Sequence, residues 1–335
     1  MFLDPSQTLF TKSIDISFNE IFHMSEQGDL NIYPKYKIGL VWSKEKKGRF
    51  IESALLGLPL NGFVFEEDDY GNFSVVDGSE RLSSVIEFFK GSLLLSGLTV
   101  LRQLNGTDYS GLDYSIQTKL RRTVCGITVL DRESHSSLKC EYFKRINIGK
   151  NGFVPQQARN FAYPKAHEIM RDGRDYLAKY FNFRISEKSY GSRKFNSILK
   201  EEHFILCLSL LEFLREKKNF YSSDFLLGNV LDDFSQEIEN SDYSRLSRVV
   251  RHNIRNFPSQ LNIGNLNLVN RSYNYPKLYP ENEVSMNDFL LFCFATNFHL
   301  PFDNSSSNFK FESKLDLKFD FFDENTPIYK LLRYI

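Results

Sequence analysis

The chain has 335 residues, of which 41% are hydrophobic, so it is long enough to bury one large core or two smaller ones. Lysine and arginine together number 42, as do aspartate and glutamate, so the net charge predicts neither a nucleic-acid-binding protein nor a membrane-surface protein. Four cysteines stand far apart without a CxxC pair, which argues against a zinc ribbon and a disulfide framework and is typical of a reducing compartment. No apolar run approaches the roughly 20 residues of a membrane span, and the first residues lack a basic leader, so we expect a cytoplasmic protein without membrane contact.

The first part of the chain predicts alternating strands and helices. Ser43 is a good helix cap, and apolar residues at helical spacing follow it as far as Pro59, which predicts an amphipathic helix between them. The stretch FVFEEDDYGNFSVVDG contains two apolar runs around a turn and predicts a β-hairpin. Beyond it the apolar spacing becomes that of a helix, so VVDGSER, residues 75 to 81, is a strand-to-helix junction.

The next stretches complete a mixed α/β unit. YSIQTKLRRT predicts a brief helix, and VCGITVLD predicts a strand rich in β-branched residues. Two further helices follow, separated by a turn of glycine and asparagine, and the second of them begins near Pro155. We therefore expect one domain over residues 1–165.

The second half of the chain differs from the first in its hydrophobic pattern. Four long stretches carry spaced apolar residues between polar ones, which predicts a mostly helical second domain over residues 166–335. Near the end, Leu315, Leu317, Phe319 and Phe321 alternate with polar residues and predict a terminal β-hairpin. The fold class that we expect is therefore α+β.

The junction at residues 75 to 81 has the chemistry of an anion site. A strand that enters a helix through glycine leaves backbone N–H groups pointing outward, and Gly78 allows a phosphate to approach them closely. Arg81 can add a forked contact, whereas Asp77 and Glu80 repel an anion unless a divalent cation or a sugar hydroxyl lies between. The alternative is an ordinary Asp-Gly turn with Asp77 as a helix cap and solvated charges beside it, and composition alone favours that interpretation.

Four stretches in order resemble the N-terminal domain family of GmrSD-type restriction systems, a branch of the ParB/sulfiredoxin-like fold. EQGDLNIYPKYKIGLVW resembles the family's Pro-x-Tyr-Gln-Arg segment that ends in tryptophan, and RFIESALLGLPL resembles its "LIES-LLG-P" helix. VVDGSERLSS is similar to its Asp-Gly-Gln-Gln-Arg motif, and FKRINIGKNGFVPQQARN is similar to its Phe-x-Arg-x-Asn and Glu-x-Arg-Asn segment. Together they span roughly residues 15 to 165.

The resemblance implies a pocket in which the Asp-Gly junction faces a nucleoside triphosphate that the domain binds or hydrolyses, often in antiphage defence. It also implies Mg²⁺ as a cofactor, with Asp77 as a metal ligand, and it assigns catalysis to Asp77, Glu80 and Arg81. Arginines suit phosphate oxygens, and asparagines suit a sugar or base. The nucleotide-binding residues that it implies are Lys37, Gly78, Ser79, Arg81, Arg145, Asn147, Arg159 and Asn160.

The chain departs from the family pattern at several positions. Lys37 and Ile38 stand where the family has Gln-Arg. We therefore expect Lys37 to contact the phosphate in place of that arginine, but without the forked geometry of a guanidinium group. Ser79 and Glu80 replace two glutamines, and Gln157 replaces a glutamate. These changes affect the expectation of hydrolysis more than that of binding.

The remaining motifs do not indicate a nuclease domain. His252 lacks the spacing and the partner residues of an HNH nuclease, so we expect none in this chain. Arg245, Arg248, Arg251 and Arg255 fall near one helical face, either as a stripe that follows DNA phosphates or, as we favour, as a solvated face.

Three hypotheses for function follow. The first is a nucleotide-binding regulatory subunit of a defence system, with or without NTP hydrolysis, whose partner subunit carries the nuclease or effector. The second is a catalytically degenerate interaction protein of such a system. The third is a protein that binds or nicks DNA directly.

Overall fold

The structure is a computed structural model that describes residues 8–37, 42–148, 153–177, 192–216, 226–241, 248, 267–269, 283–285, 321 and 323–328. The chain forms two compact units, Met1–Phe143 and Lys144–Ile335, and each is described by itself. The division falls within one helix, and the expected domain boundary near residue 165 stays a prediction.

A five-stranded mixed sheet lies at the centre of the first unit. Its strand order is β1-β5-β3-β4-β2, with β1 antiparallel to β5, β5 parallel to β3, β3 antiparallel to β4 and β4 parallel to β2. The mixed α+β class is thus confirmed. The strands are β1 (Thr11–Ser17), β2 (Leu30–Asn31), β3 (Phe63–Glu67), β4 (Phe73–Asp77) and β5 (Val124–Leu130).

The predicted hairpin is the pair β3 and β4. Asp68 shapes the connecting turn, because its Oδ1 accepts hydrogen bonds from the backbone N–H groups of Tyr70 and Asn72 at 2.8 Å. Gly71, with φ 83°, completes the turn. The strand that leads to the junction is therefore fixed by its neighbour.

Helices α2 (Lys44–Leu56) and α3 (Ser79–Phe89) lie at the positions where apolar spacing predicted helices, whereas α1 (Phe18–Gln27) was not predicted. Helix α2 ends before Pro59, because Gly57 takes a left-handed conformation with φ 74° and closes the helix. The helices of this unit are α1 (Phe18–Gln27), α2 (Lys44–Leu56), α3 (Ser79–Phe89) and α4 (Tyr114–Arg121), followed by α5 (Ser136–Asn147), which runs into the second unit.

The core of the first unit lies against one face of the sheet. Strand alternation places Ile16, Ile127, Phe63 and Phe65 on this face, all 6% exposed or less. Most of the aromatic residues there pack in the core.

A buried carboxylate orders the long loop between α3 and α4. Glu52 of α2 is 4% exposed, and its Oε1 accepts hydrogen bonds from the backbone N–H groups of Val100 at 2.7 Å and Leu101 at 2.8 Å. Thr99 donates to the same carboxylate. Burial raises the pKa of Glu52, but these hydrogen bonds outweigh it and hold the pKa below its usual value. The loop is therefore attached to α2 although it contains little regular structure.

The second unit is mostly helical where it is described, as expected. Two short strands, β6 (Asn267–Val269) and β7 (Glu283–Ser285), pair in parallel. No described helix is both long and apolar enough to span a membrane. The predicted terminal hairpin, apart from residue 321, and the arginine stripe, apart from residue 248, lie outside the described residues, as does His252. The helices are α6 (Pro155–Ala162), α7 (Pro164–Leu177), α8 (Ser192–Glu216) and α9 (Leu227–Glu239).

Candidate functional site

The junction between β4 and α3 is built around a glycine. Asp77 is the last residue of β4, and Gly78 follows with φ 102° and ψ 10°, a left-handed conformation. A Cβ atom at Gly78 would overlap the ring of Phe63 and lie 3.1 Å from Nη2 of Arg81. Gly78 is also the N-cap of α3, and it offers the first-turn N–H groups no side-chain acceptor. The positive end of the helix dipole thus lies at this turn.

A lysine from another part of the chain reaches the start of α3. The Nζ atom of Lys37 donates a hydrogen bond to Oγ of Ser79 at 2.8 Å. Ser79 is 5% exposed, whereas Lys37 is half-buried. Two of the predicted nucleotide-binding residues are therefore in contact, and they add a positive charge beside Gly78.

The guanidinium group of Arg81 is held by the protein itself. Its Nη1 donates to the carbonyl oxygen of Asn61, and its Nη2 donates to that of Gly62 at 2.9 Å. Nη2 also lies 3.4 Å from Oδ2 of Asp77, and the group stacks 4.2 Å from the centre of the Phe63 ring. Burial lowers the pKa of Arg81, and the charge of Asp77 opposes this effect. Arg81 thus fixes the loop before β3, while its contact with a phosphate stays a prediction.

The two acidic residues have different surroundings. Glu80 accepts a hydrogen bond from the backbone N–H of Trp42 at 3.1 Å through Oε2. Asp77 is half-buried beside Arg81. Among the described residues no group of three or more histidine, cysteine or acidic side chains could hold a metal ion. A nucleotide-bound Mg²⁺ needs only one or two carboxylates besides phosphate oxygens and water, so Asp77 fits the predicted role.

Tyr36 is a residue of this region that sequence reasoning missed. It is 8% exposed, and its hydroxyl donates to the carbonyl oxygen of Val75 at 3.0 Å. Burial raises the pKa of Tyr36 well above its usual 10.0, and the charges of Glu66 and Asp77 act in the same direction. Tyr36 therefore anchors the segment that carries Lys37 to strand β4. Its place next to Lys37 in a Tyr-Lys pair was the signal available in the sequence.

The other four predicted residues lie in the second unit. Arg145 is exposed and Asn147 half-buried in the last turn of α5. Arg159 and Asn160 are buried in α6, at 1% and 3% exposure. Their role in nucleotide binding stays a prediction that depends on the resemblance alone.

Arg159 is buried and is the centre of an ionic network in the second unit, whose other members are half-buried. Its Nη1 and Nη2 donate to the two carboxylate oxygens of Glu324 at 2.8 and 2.7 Å, and its Nε donates to Oδ1 of Asp232 at 2.8 Å. Lys144 donates to the other oxygen of Asp232. Burial raises the pKa of Glu324, but the charge and hydrogen bonds of Arg159, together with the charges of His203 and Lys144, outweigh burial and lower the pKa to about 2. The network thus joins α5, α6 and α9 to a segment near the end of the chain.

The depressed pKa of Glu324 predicts acid sensitivity. A carboxylate whose folded pKa is about 2, below its usual 4.5, contributes stability fully above about pH 4.5 and loses it as the pH falls to about 2. We expect the free energy of unfolding of the wild type to fall over this range more steeply than that of Glu324→Gln. Urea unfolding at pH 6, 4.5 and 3 measures the difference. A difference that does not change with pH would contradict the assignment.

Asn160 belongs to a second buried cluster around Glu202, which is 1% exposed. Asn160 donates to Glu202 at 2.5 Å and accepts from Gln156 at 2.9 Å. Arg174 donates to the same carboxylate at 3.2 Å, and His167 lies 3.6 Å from it. His167 thus belongs to a buried polar cluster, and no pattern in the sequence indicated Glu202.

Comparison with known proteins identifies the family. The family model described as GmrSD restriction endonuclease, N-terminal domain, matches residues 18–325. No curated protein and no solved structure matches the chain. The matched range includes every predicted site residue and most of the chain. The chain therefore belongs to the GmrSD restriction endonuclease N-terminal domain family, which the four ordered motifs predicted.

Proposed function

We propose that the protein is a nucleotide-binding regulatory component of a prokaryotic restriction or antiphage system, with a ParB/sulfiredoxin-like first domain. The triphosphate binds at the β4–α3 junction. The observation that carries the proposal is the contact of Lys37 with Ser79 at a helix start that has glycine as its N-cap. Backbone N–H groups, the helix dipole and a lysine charge together are a recurrent arrangement for phosphate. Family membership supports the link to a restriction system.

Each residue of the junction has a distinct part in this proposal. Gly78 lets the phosphate approach the backbone, and Lys37 adds a charge-assisted contact. A bound Mg²⁺ would neutralise part of the phosphate charge, and Asp77 is the residue that would hold the metal ion. Arg81 keeps Asp77 and the turn in place through the contacts described above. For hydrolysis, Glu80 is the residue that would orient a water molecule.

Lys37→Met is the variant that tests this site most directly. Loss of a charge-assisted hydrogen bond of about 1.5–3 kcal/mol lowers affinity by about 10- to 150-fold. Calorimetric titration of ATP, GTP, CTP and UTP with Mg²⁺ measures the affinity, and phosphate release measures turnover. Lys35→Met is the matched control, since Lys35 is exposed and two residues away; it should bind as the wild type does.

Two outcomes would count against the proposal. Absence of saturable binding of all four nucleotides by the wild type would refute nucleotide binding. Equal affinities of the wild type and Lys37→Met would remove the junction as the phosphate site.

A second candidate is an interaction protein that binds nucleotide without turnover. The observation that favours it is the hydrogen bond from Trp42 to Glu80, which engages the carboxylate that would otherwise orient water. Saturable binding without phosphate release would support it. A salt-dependent shift of plain duplex DNA in the absence of nucleotide would instead favour direct DNA binding.

A further inference from the structure

A groove lies in the first unit, between the segment that follows α2 and the segment that joins α4 to β5. Its volume is about 520 Å³. Gly57 to Leu60 form one wall, and Lys119 and residues 122 to 126 form the other. The proposed nucleotide function does not involve this groove.

Large aliphatic side chains are exposed on both walls. Leu58 is 51% exposed and Val124 is 58% exposed, while Pro59 and Leu60 lie beside them. A single exposed aliphatic residue needs no explanation, but two that face a common groove form an apolar patch that a partner can cover.

The groove also carries positive charge. Lys119 and Arg122 line it and are both exposed, and neither forms an ion pair with any residue that the structure describes. Of the described residues that line the groove, none is acidic. The charge complement of this surface is therefore a carboxylate-bearing partner.

The chemistry of the lining distinguishes a peptide from a nucleic acid. Single-stranded nucleic acids are bound through aromatic side chains on which bases stack, together with several phosphate contacts. The described lining contains two cations and no aromatic ring, whereas its leucine, valine and proline side chains suit an aliphatic side chain. These features favour a protein segment.

The wall formed by residues 57 to 60 continues into a loop that is fixed from the far side. Arg81 binds the carbonyl oxygens of Asn61 and Gly62, and Gly62 leads directly into β3. A groove whose wall is held in place loses little entropy when it is filled.

We propose that this groove docks a segment of a partner protein that carries an aliphatic side chain flanked by carboxylates. The aliphatic side chain lies between Leu58 and Val124, and the carboxylates pair with Lys119 and Arg122. This is a partner surface distinct from the β4–α3 junction, and it does not depend on nucleotide binding.

Peptide selection tests the proposal even before the partner is identified. A random ten-residue peptide library is selected on the wild type and counter-selected on the variant Leu58→Asp/Lys119→Glu/Arg122→Glu. We expect enrichment of leucine, isoleucine or valine with aspartate or glutamate on either side. All three positions are exposed, but acids at the C-terminal end of α4 oppose the helix dipole, so circular dichroism first checks that the variant is folded at the temperature of selection.

The best selected peptide is then labelled with fluorescein and titrated by anisotropy. We expect Lys119→Glu/Arg122→Glu to weaken binding by about tenfold or more, since four units of charge change at the rim. Lys44→Glu/Arg132→Glu, an equal charge reversal at exposed positions elsewhere in the unit, should bind as the wild type does.

Three results would overturn the proposal. One is selection of no peptide that distinguishes the wild type from the triple variant. Another is enrichment of peptides without acidic residues. The third is displacement of the peptide by a single-stranded oligonucleotide at equal or lower concentration, which would assign the groove to nucleic acid.

Discussion

Gly78→Ala should destabilise the protein by about 2–5 kcal/mol and remove nucleotide binding. A left-handed backbone costs a residue with a Cβ about 1–2 kcal/mol. The new methyl group would also overlap the Phe63 ring, and crowding of a packed core costs a further 1–3 kcal/mol or so. Relief of this overlap moves Phe63 or the turn, and so displaces both Asp77 and the start of α3. Urea unfolding and nucleotide titration measure the two effects.

Gly28→Ala separates the two causes. Gly28 has φ 89°, close to that of Gly78, but a Cβ there would meet no atom within 4 Å. We therefore expect only the backbone cost of about 1–2 kcal/mol, with nucleotide binding unchanged. Equal losses in the two variants would show that the close approach of Gly78 to Phe63 has no energetic weight.

Arg159→Met should destabilise the second unit by about 3–5 kcal/mol, because it leaves the half-buried carboxylates of Glu324 and Asp232 without their main partner. Such a loss is a large share of the roughly 5–15 kcal/mol that stabilises a typical domain. Unfolding by urea, followed by circular dichroism, measures the change. Adding Glu324→Gln should recover part of the loss, since one uncompensated charge is then removed.

Arg171→Met is the matched control in the same unit. Arg171 is exposed on α7, so its replacement should change stability by no more than about 0.5 kcal/mol. If Arg159→Met is no more harmful than Arg171→Met, the ionic network contributes nothing to stability.

Local pattern was sufficient to predict much of the fold. Apolar spacing and capping residues predicted α2, α3 and the hairpin of β3 and β4, because the signals for these elements lie within the elements themselves. β1 was not predicted, since TKSIDIS has only two apolar residues in alternation. Its pairing partner β5 is far away in the sequence, and pairing is what makes it a strand.

The candidate site was predictable in its backbone and less so in its contacts. An Asp-Gly pair between a strand and a helix indicated a turn through Gly78, and the structure shows that this turn is left-handed. The partners of Arg81, by contrast, are carbonyl oxygens of Asn61 and Gly62. Every residue has a backbone carbonyl, so such a partner cannot be recognised from the types of residue in the sequence. The partner of Arg159, Glu324, lies near the other end of the chain. Contacts of this kind depend on the tertiary structure and not on local sequence.

The pairing of β1 with β5 has a consequence for synthesis of the protein in the cell. Ile14 pairs with Ile127, so β1 leaves the ribosome long before β5, its partner in the sheet, has been synthesised. At about 5–20 residues per second, the wait is roughly 6 to 23 s. During this interval, the apolar side chains of β1 and of the incomplete sheet are exposed and can form non-native contacts, including contacts with another nascent chain. The first unit is thus most vulnerable to aggregation before β5 has emerged, and a chaperone that acts early on the nascent chain would protect it.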